Sequence, residues 1–181
     1  MVDPDRPPIP YIYFPPVTGI ELTSDDIEHG QRIPATHHAD SSMGMDGDNL
    51  SPHLSWSGVP EGTQSLAVTC FDPDAPTGSG FWHWVVFDLP ASTTELPRGA
   101  GSGDQAGLPS GAIHARNDGG GLEYLGMAPP EGHGDHRYVF AVHALGVPTL
   151  GIDSSASPAA VGFNMFFNTS GRGVLIAHFG R

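Results

Sequence analysis

The stretch Phe71-Asp72-Pro73-Asp74-Ala75-Pro76, with the aromatic run Phe81-Trp82-His83-Trp84-Val85-Val86 behind it, decides how the chain is read. Residues 65–71 and residues 81–89 are rich in β-branched, aromatic and other apolar side chains, so both are predicted strands. Pro73 and Pro76 lack the N–H that a sheet ladder needs, and they end the first strand where the acidic pair begins. Asp72 and Asp74 then stand on a stiff loop at a sheet end, a common place for binding groups. A proline-stiffened turn with capping aspartates would look the same from this stretch alone.

A second stretch, Gly134-Asp135-His136-Arg137-Tyr138-Val139-Phe140-Ala141-Val142-His143, sharpens the reading. Strand residues two apart share a face, so His136 and Tyr138 point together while Arg137 and His143 point the other way. A hydroxyl and an imidazole beside His83 and Asp72 make a compact, donor-rich pocket. His143 is read as structural by the same parity, and His133 stands three residues before His136, within reach of the pocket rim.

Outward from these strands, the chain reads as one all-β domain over residues 17–181, preceded by a proline-rich arm over residues 1–16. The expected architecture is two packed, mainly antiparallel sheets with one or two short helices. Tyr11, Ile12, Tyr13 and Phe14 make the arm sticky, for its own sheet or for a partner chain. Short strands are expected at 20–23 and around Leu54-Ser55-Trp56. The strand at 65–71 is apolar on both faces and belongs in the middle of packed layers. In the strand at 81–89, alternation puts His83, Val85 and Phe87 on one face and Trp82, Trp84 and Val86 on the other. A helix is predicted over 158–168, with Ser157 as N-cap and Pro158 at its first position. Gly171-Arg172-Gly173 is expected to stop it, and 174–179 to close the chain as a strand.

Composition sets limits on function. A chain of 181 residues with 15% charged side chains, 25 glycines and 18 prolines suits a loop-rich β protein better than a helical bundle. A formal charge of −13 argues against nucleic acid and anionic membrane surfaces as partners, so any anionic ligand must be drawn in by a local pocket. All seven basic residues are arginine. Cys70, the single cysteine, forms no internal disulfide and falls in an apolar strand pattern, which marks it as core. With no apolar run of about 18 residues and no apolar signal core at the N-terminus, stable membrane insertion is not expected and the cytoplasm is the expected compartment.

Taken together, the D-P-D-A-P segment at 72–76, W-H-W-V-V at 82–86 and H-R-Y-V-F at 136–140 resemble the phosphatidylethanolamine-binding protein family, in its bacterial and archaeal Raf-kinase-inhibitor-like branch. Asp48-Asn49-Leu50-Ser51-Pro52-His53-Leu54-Ser55-Trp56, Tyr124-Leu125-Gly126-Met127-Ala128-Pro129-Pro130 and the run from Ser157-Pro158 to Gly162-Phe163-Asn164 support the match, which spans roughly residues 14–181. The resemblance implies a site for a small anion, a phosphate or phospholipid-headgroup-like group, at Asp72, His83, His136 and Tyr138, with Asp74 and Pro76 beside them. Trp82, Trp84, Pro129 and Pro130 are expected as apolar walls. Ala128 stands where many members have a glycine that lines the anion through its backbone. It also implies an end without the C-terminal helix of animal and plant relatives, leaving a surface open to a homodimer.

In this reading Asp72 orients one imidazole, His83 and His136 donate to phosphate oxygens, and Tyr138 adds a hydroxyl donor. The same four residues would serve a small-molecule enzyme, with Asp72–His83 as a general-base dyad and Tyr138 and His136 as acid or oxyanion donor, though no nucleophile is evident. A protein-interaction or inhibitor role is a third reading, with no motif that names a partner. Neither a metal nor a cofactor is expected. Ten histidines supply no H-E-x-x-H, the acidic run at 46–49 lacks the closing glutamate of a calcium loop, and Asp104 stands where a dinucleotide loop needs its third glycine.

Overall fold

The computed structural model describes residues 6–103 and 107–181. The first five residues of the arm and Asp104 lie outside them. Ten regular elements follow one another along the chain: β1 (Thr18–Gly19), β2 (Glu21–Thr23), β3 (Leu54–Ser57), β4 (Ser65–Asp72), β5 (Phe81–Pro90), β6 (Glu95–Leu96), β7 (Ile113–His114), β8 (His136–Leu145), α1 (Pro158–Phe166) and β9 (Thr169–Phe179), with short 3-10 turns at Pro10–Tyr13, Ala35–His37 and Ser41–Met43. A six-stranded sheet in the order β1-β9-β8-β4-β5-β7 packs on a three-stranded sheet in the order β2-β3-β6. Every pairing is antiparallel except β1 with β9.

All eight residues of β4 are buried, because this strand is central in the large sheet and covered on both faces. Its inner face, Leu66, Val68 and Cys70, joins Trp84 and Val86 of β5, Tyr138, Phe140 and Val142 of β8, and Trp56 of β3 in the core between the sheets. The outer face is closed by a second cluster in which Ala67, Val85, Phe87 and Leu145 meet Val161 and Met165 of α1. Cys70 is fully buried, and burial pushes its thiol pKa up.

The arm lies on that outer face. Tyr11 shares a hydrogen bond with Thr69 Oγ1 at 3.1 Å and sets its ring edge-on to His143, while the Arg172 guanidinium sits 4.7 Å from the Tyr11 ring centre and 5.4 Å from that of Phe14. His143 is buried there, and its Nδ1 accepts from Arg172 Nε at 3.3 Å.

Two expectations are corrected. The Gly171–Gly173 segment does not stop the helix but runs inside β9. A side chain on Gly173 would lie 2.7 Å from the Ile20 carbonyl oxygen, so glycine here lets the backbone between β1 and β2 lie close against β9. The helix itself starts as expected, with Ser157 Oγ accepting from Ala160 N, and ends at Phe166. The second correction concerns β5. Phe71 pairs with Trp82 and Cys70 with Trp84, so His83 is an extra residue in a β-bulge. Alternation therefore slips by one: His83 faces inward with Trp84 and Val86, Trp82 packs outward, and Val85 and Phe87 join the outer cluster.

Candidate functional site

Three strand ends meet at one edge of the large sheet. β4 delivers Asp72 at its last position, β8 delivers His136 and Tyr138 at its start, and the bulge of β5 delivers His83. Exposures are 2% for Asp72, 5% for His83, 2% for His136 and 0% for Tyr138, so these polar side chains are packed as tightly as core. They line a cavity of about 210 Å³. Pro76, Phe81 and Met43 form part of its wall, and Leu125, Gly126, Ala128, Pro129 and Pro130 form another.

That second wall is pinned from behind. Gly126 N–H donates to Asn49 Oδ1 at 2.7 Å, and Ala39 N–H donates to the Met127 carbonyl at 3.1 Å. A Cβ on Gly126 would lie 2.4 Å from Ala39 N, so only glycine lets the two backbones lie this close. Asn49 adopts a left-handed conformation, φ 54°, to aim its amide there. The acidic run at 46–49 thus supports the cavity wall through Asn49.

The hydrogen-bond order inside the site is specific. His136 Nδ1 donates to Asp72 Oδ2 at 2.7 Å, and the other Asp72 oxygen accepts Asp74 N–H at 2.8 Å. His136 Nε2 shares a hydrogen with His133 Nδ1 at 2.8 Å, which brings the exposed His133 into an Asp72–His136–His133 chain. His83 Nδ1 meets the Leu125 carbonyl at 2.7 Å, and its ring stands edge-on to Tyr138, with centres 5.2 Å apart. The Tyr138 hydroxyl has no hydrogen-bond partner in the protein, and it is the one such buried side-chain atom among the described residues. Burial, followed by the Asp72 charge, raises the Tyr138 pKa, so the phenol stays an O–H donor. Burial lowers the His83 pKa, against the opposing pull of the Leu125 carbonyl, the Asp72 and Asp118 charges and the Gly126 carbonyl.

Asp72, His83, His136, Tyr138, Pro76, Ala128, Pro129 and Pro130 all come together at the cavity. Asp74, Trp82 and Trp84 do not. The Asp74 carboxylate turns to Arg137, accepting its backbone N–H at 2.8 Å and two guanidinium hydrogens at 2.9 and 2.7 Å, with Arg6 at 3.1 Å. Burial pushes the Asp74 pKa up, but these arginines outweigh it and hold the carboxyl below its ordinary range. Trp84 is sealed in the core, where its indole N–H donates to His114 Nε2 at 2.8 Å. Trp82 tilts onto Phe71 on the outer side, at a ring-centre distance of 4.4 Å. The expected Asp72–His83 dyad is also replaced, since Asp72 bonds His136. Phe81, two residues before His83, was within reach of parity reasoning, whereas Met43 and Leu125 carry no local signal in the sequence. Among the described residues no group of three or more His, Cys, Asp or Glu side chains could hold a metal ion.

The aspartate, two imidazoles and phenol thus meet at one sheet edge of a two-sheet sandwich, a fold of the ligand-binding class. A family model described as phosphatidylethanolamine-binding protein matches residues 23–180, and the chain belongs to that family. It is 50% identical to the UPF0098 protein YbhB of Escherichia coli over 160 residues, which cover 88% of this chain and 99% of that protein. It is 41% identical to a UPF0098 protein of Aquifex aeolicus over 148 residues, covering 81% and 80% of the two chains. The crystal structure of E. coli YbcL, described as a new member of the mammalian PEBP family, superposes with a TM-score of 0.87 at 42% identity, covering 90% of this chain and 98% of that one.

Proposed function

We propose that the chain binds a small phosphate-type anion, free phosphate or a phosphorylated headgroup, in the cavity formed by Asp72, His83, His136 and Tyr138. The observation that carries this reading is the Tyr138 hydroxyl, buried without a partner between two imidazoles. A buried, unpaired hydroxyl costs about 1–3 kcal/mol and persists where a ligand supplies the missing acceptor. The cavity is small and its walls are mostly apolar, which suits a headgroup rather than a whole lipid chain.

The test is a titration of the histidine side-chain NMR signals with inorganic phosphate, O-phosphorylethanolamine and neutral ethylene glycol, on wild type and on His83→Ala. Saturable shifts of His83 and His136 with the two phosphates alone, lost in the variant, support the proposal. No response at millimolar ligand refutes it. One observation favours the acid–base reading: burial lowers the His83 pKa, and this imidazole lies beside a protonated phenol. The phosphorus spectrum of bound O-phosphorylethanolamine, followed over hours, separates the two readings. An unchanged ester supports binding, and conversion to inorganic phosphate supports catalysis.

A further inference from the structure

The Leu125 carbonyl can only accept a hydrogen bond, so at 2.7 Å it is His83 Nδ1 that carries the hydrogen. A neutral imidazole in that tautomer presents Nε2 as a lone pair. His136 has nothing spare, with one nitrogen on Asp72 and the other shared with His133. Tyr138 contributes one O–H. Thr77, also in the lining, gives its hydroxyl hydrogen to the Gly80 carbonyl, so the side chains offer one free donor, on Tyr138, and the His83 lone pair as the nitrogen acceptor. The lining contains no lysine or arginine, and Asp72 is its one carboxylate. A fully deprotonated oxyanion would face the Nε2 lone pair and the Asp72 charge with a single free side-chain donor in its favour. An oxyanion bearing one hydrogen meets both partners in the correct sense.

We infer that the cavity selects phosphate or a phosphomonoester in its singly protonated form, its P–O–H donating to His83 Nε2 and another oxygen accepting from the Tyr138 hydroxyl, over sulfate and phosphodiesters. This rests on the anion-binding reading above and adds the proton to it. Above the second pKa of a phosphomonoester, about 6, the free ligand is a dianion and takes up one proton as the complex forms. Affinity then falls as pH rises, approaching tenfold per unit. The groups that face His83 are Asp72 from β4, Tyr138 and His136 from β8, and Asp118 from the turn after β7, with His133 behind His136. If one of these histidines supplied the proton instead, sulfate would show the same pH slope as the phosphomonoester. If the ligand supplies it, only the phosphomonoester shows the slope.

The experiment is calorimetric titration of the full chain with O-phosphorylethanolamine, glycerophosphorylethanolamine and sulfate between pH 5.5 and 8.5, in two buffers of different ionisation enthalpy. The expected result is uptake of about one proton per phosphomonoester at pH 8 and about a quarter of one at pH 5.5, with sulfate and the diester bound about tenfold or more weakly than the monoester at pH 5.5 for lack of the second hydrogen bond. Binding of the monoester at pH 8 without proton uptake, or a sulfate affinity and slope that match it, overturns the inference while leaving anion binding intact. If none of the three binds at millimolar concentration, the anion-binding reading falls and this one with it. A long-range proton–nitrogen spectrum of the unliganded protein at pH 7 provides an independent check. It should show His83 as the Nδ1–H tautomer, and an Nε2–H tautomer or an imidazolium there overturns the inference. Comparing inorganic phosphate with a short-chain phosphatidic acid then separates a free ligand from a lipid one, since both carry the ionisable hydrogen.

Discussion

Replacing Tyr138 by phenylalanine should make the unliganded protein more stable and a poorer binder. The ring lies in the core between the sheets, so phenylalanine keeps its packing and only the hydroxyl is lost. That hydroxyl has no partner in the protein, and leaving it buried costs about 1–3 kcal/mol. Its neighbours include a cavity that admits water, which offsets part of the cost, so a gain of about 1 kcal/mol is expected. For a domain of this size that is a rise in Tm of roughly 2–4 °C. Binding should move the other way. A hydrogen bond to a charged ligand contributes about 1.5–3 kcal/mol, a loss of about tenfold to a hundredfold in phosphate affinity. Thermal unfolding and phosphate titration of the two proteins side by side are sufficient. A variant that melts lower than wild type, or that binds phosphate equally well, would refute the reasoning, because either result means the hydroxyl already has a partner or does not face the ligand.

Three further outcomes are expected. His136→Ala strips the buried Asp72 carboxylate of its imidazole partner and should cost about 3 kcal/mol in urea unfolding, whereas His133→Ala, at an exposed position, should cost under about 0.5 kcal/mol; equal losses would show that the chain of hydrogen bonds does not hold the site. His143 should contribute an acid-sensitive component to stability. Burial, aided by the Arg172 charge, pushes its pKa from 6.5 down to about 3, so the native state binds fewer protons than the unfolded chain in that window. The stability is complete above pH 6.5 and is lost as pH falls towards 3, at up to about 1.4 kcal/mol per unit, and His143→Gln should flatten this limb in urea titrations at pH 7 and 4.5. Finally, Tyr13, Phe163, Phe166 and Phe167 expose roughly 500 Å² of aromatic surface, taking about 200 Å² for each side chain, on a face where residues 7–20 and 154–171 carry no charge. Two such faces together reach the roughly 1,000 Å² of a stable interface, and a face free of carboxylates, with Arg172 over the Tyr11 and Phe14 rings, is where two copies of a −13 chain approach with least repulsion, so we propose a dimer that Phe163→Glu with Phe167→Glu returns to monomer in sedimentation; a wild type that sediments as a monomer at high concentration refutes this.

The strands that carry the site were readable because their signals are local. β4 is bounded by prolines that cannot pair, β8 alternates cleanly, and the Ser157-Pro158 start of α1 is a capping pattern that needs no tertiary information. What escaped was set by distant chain. Gly171 and Gly173 look like a helix stop, and only the Ile20 backbone lying against β9 shows why glycine is needed inside a strand. β1, β6 and β7 are two residues long, too short for any period to register, and exist because long neighbours offer them an edge.

Parity put His136 and Tyr138 on one face and the prolines put Asp72 at a strand end, and all three line the cavity, whereas Trp82 and Trp84, expected as its walls, do not; the reason lies in β5. Parity assumes an unbroken ladder, and β5 carries one residue too many at His83. Without the bulge, the residues facing inward with Trp84 and Val86 would be the even-numbered ones, and Trp82 would replace His83 at the sheet edge. An indole carries no lone pair for a ligand hydrogen, and its bulk would fill much of a 210 Å³ cavity. The bulge therefore does two things at once. It puts an imidazole where packing alone would put a tryptophan, and it turns that imidazole towards the Leu125 carbonyl rather than Asp72. Asp72 is then free to hold His136, and His83 keeps the lone pair on which selection of a protonated oxyanion depends.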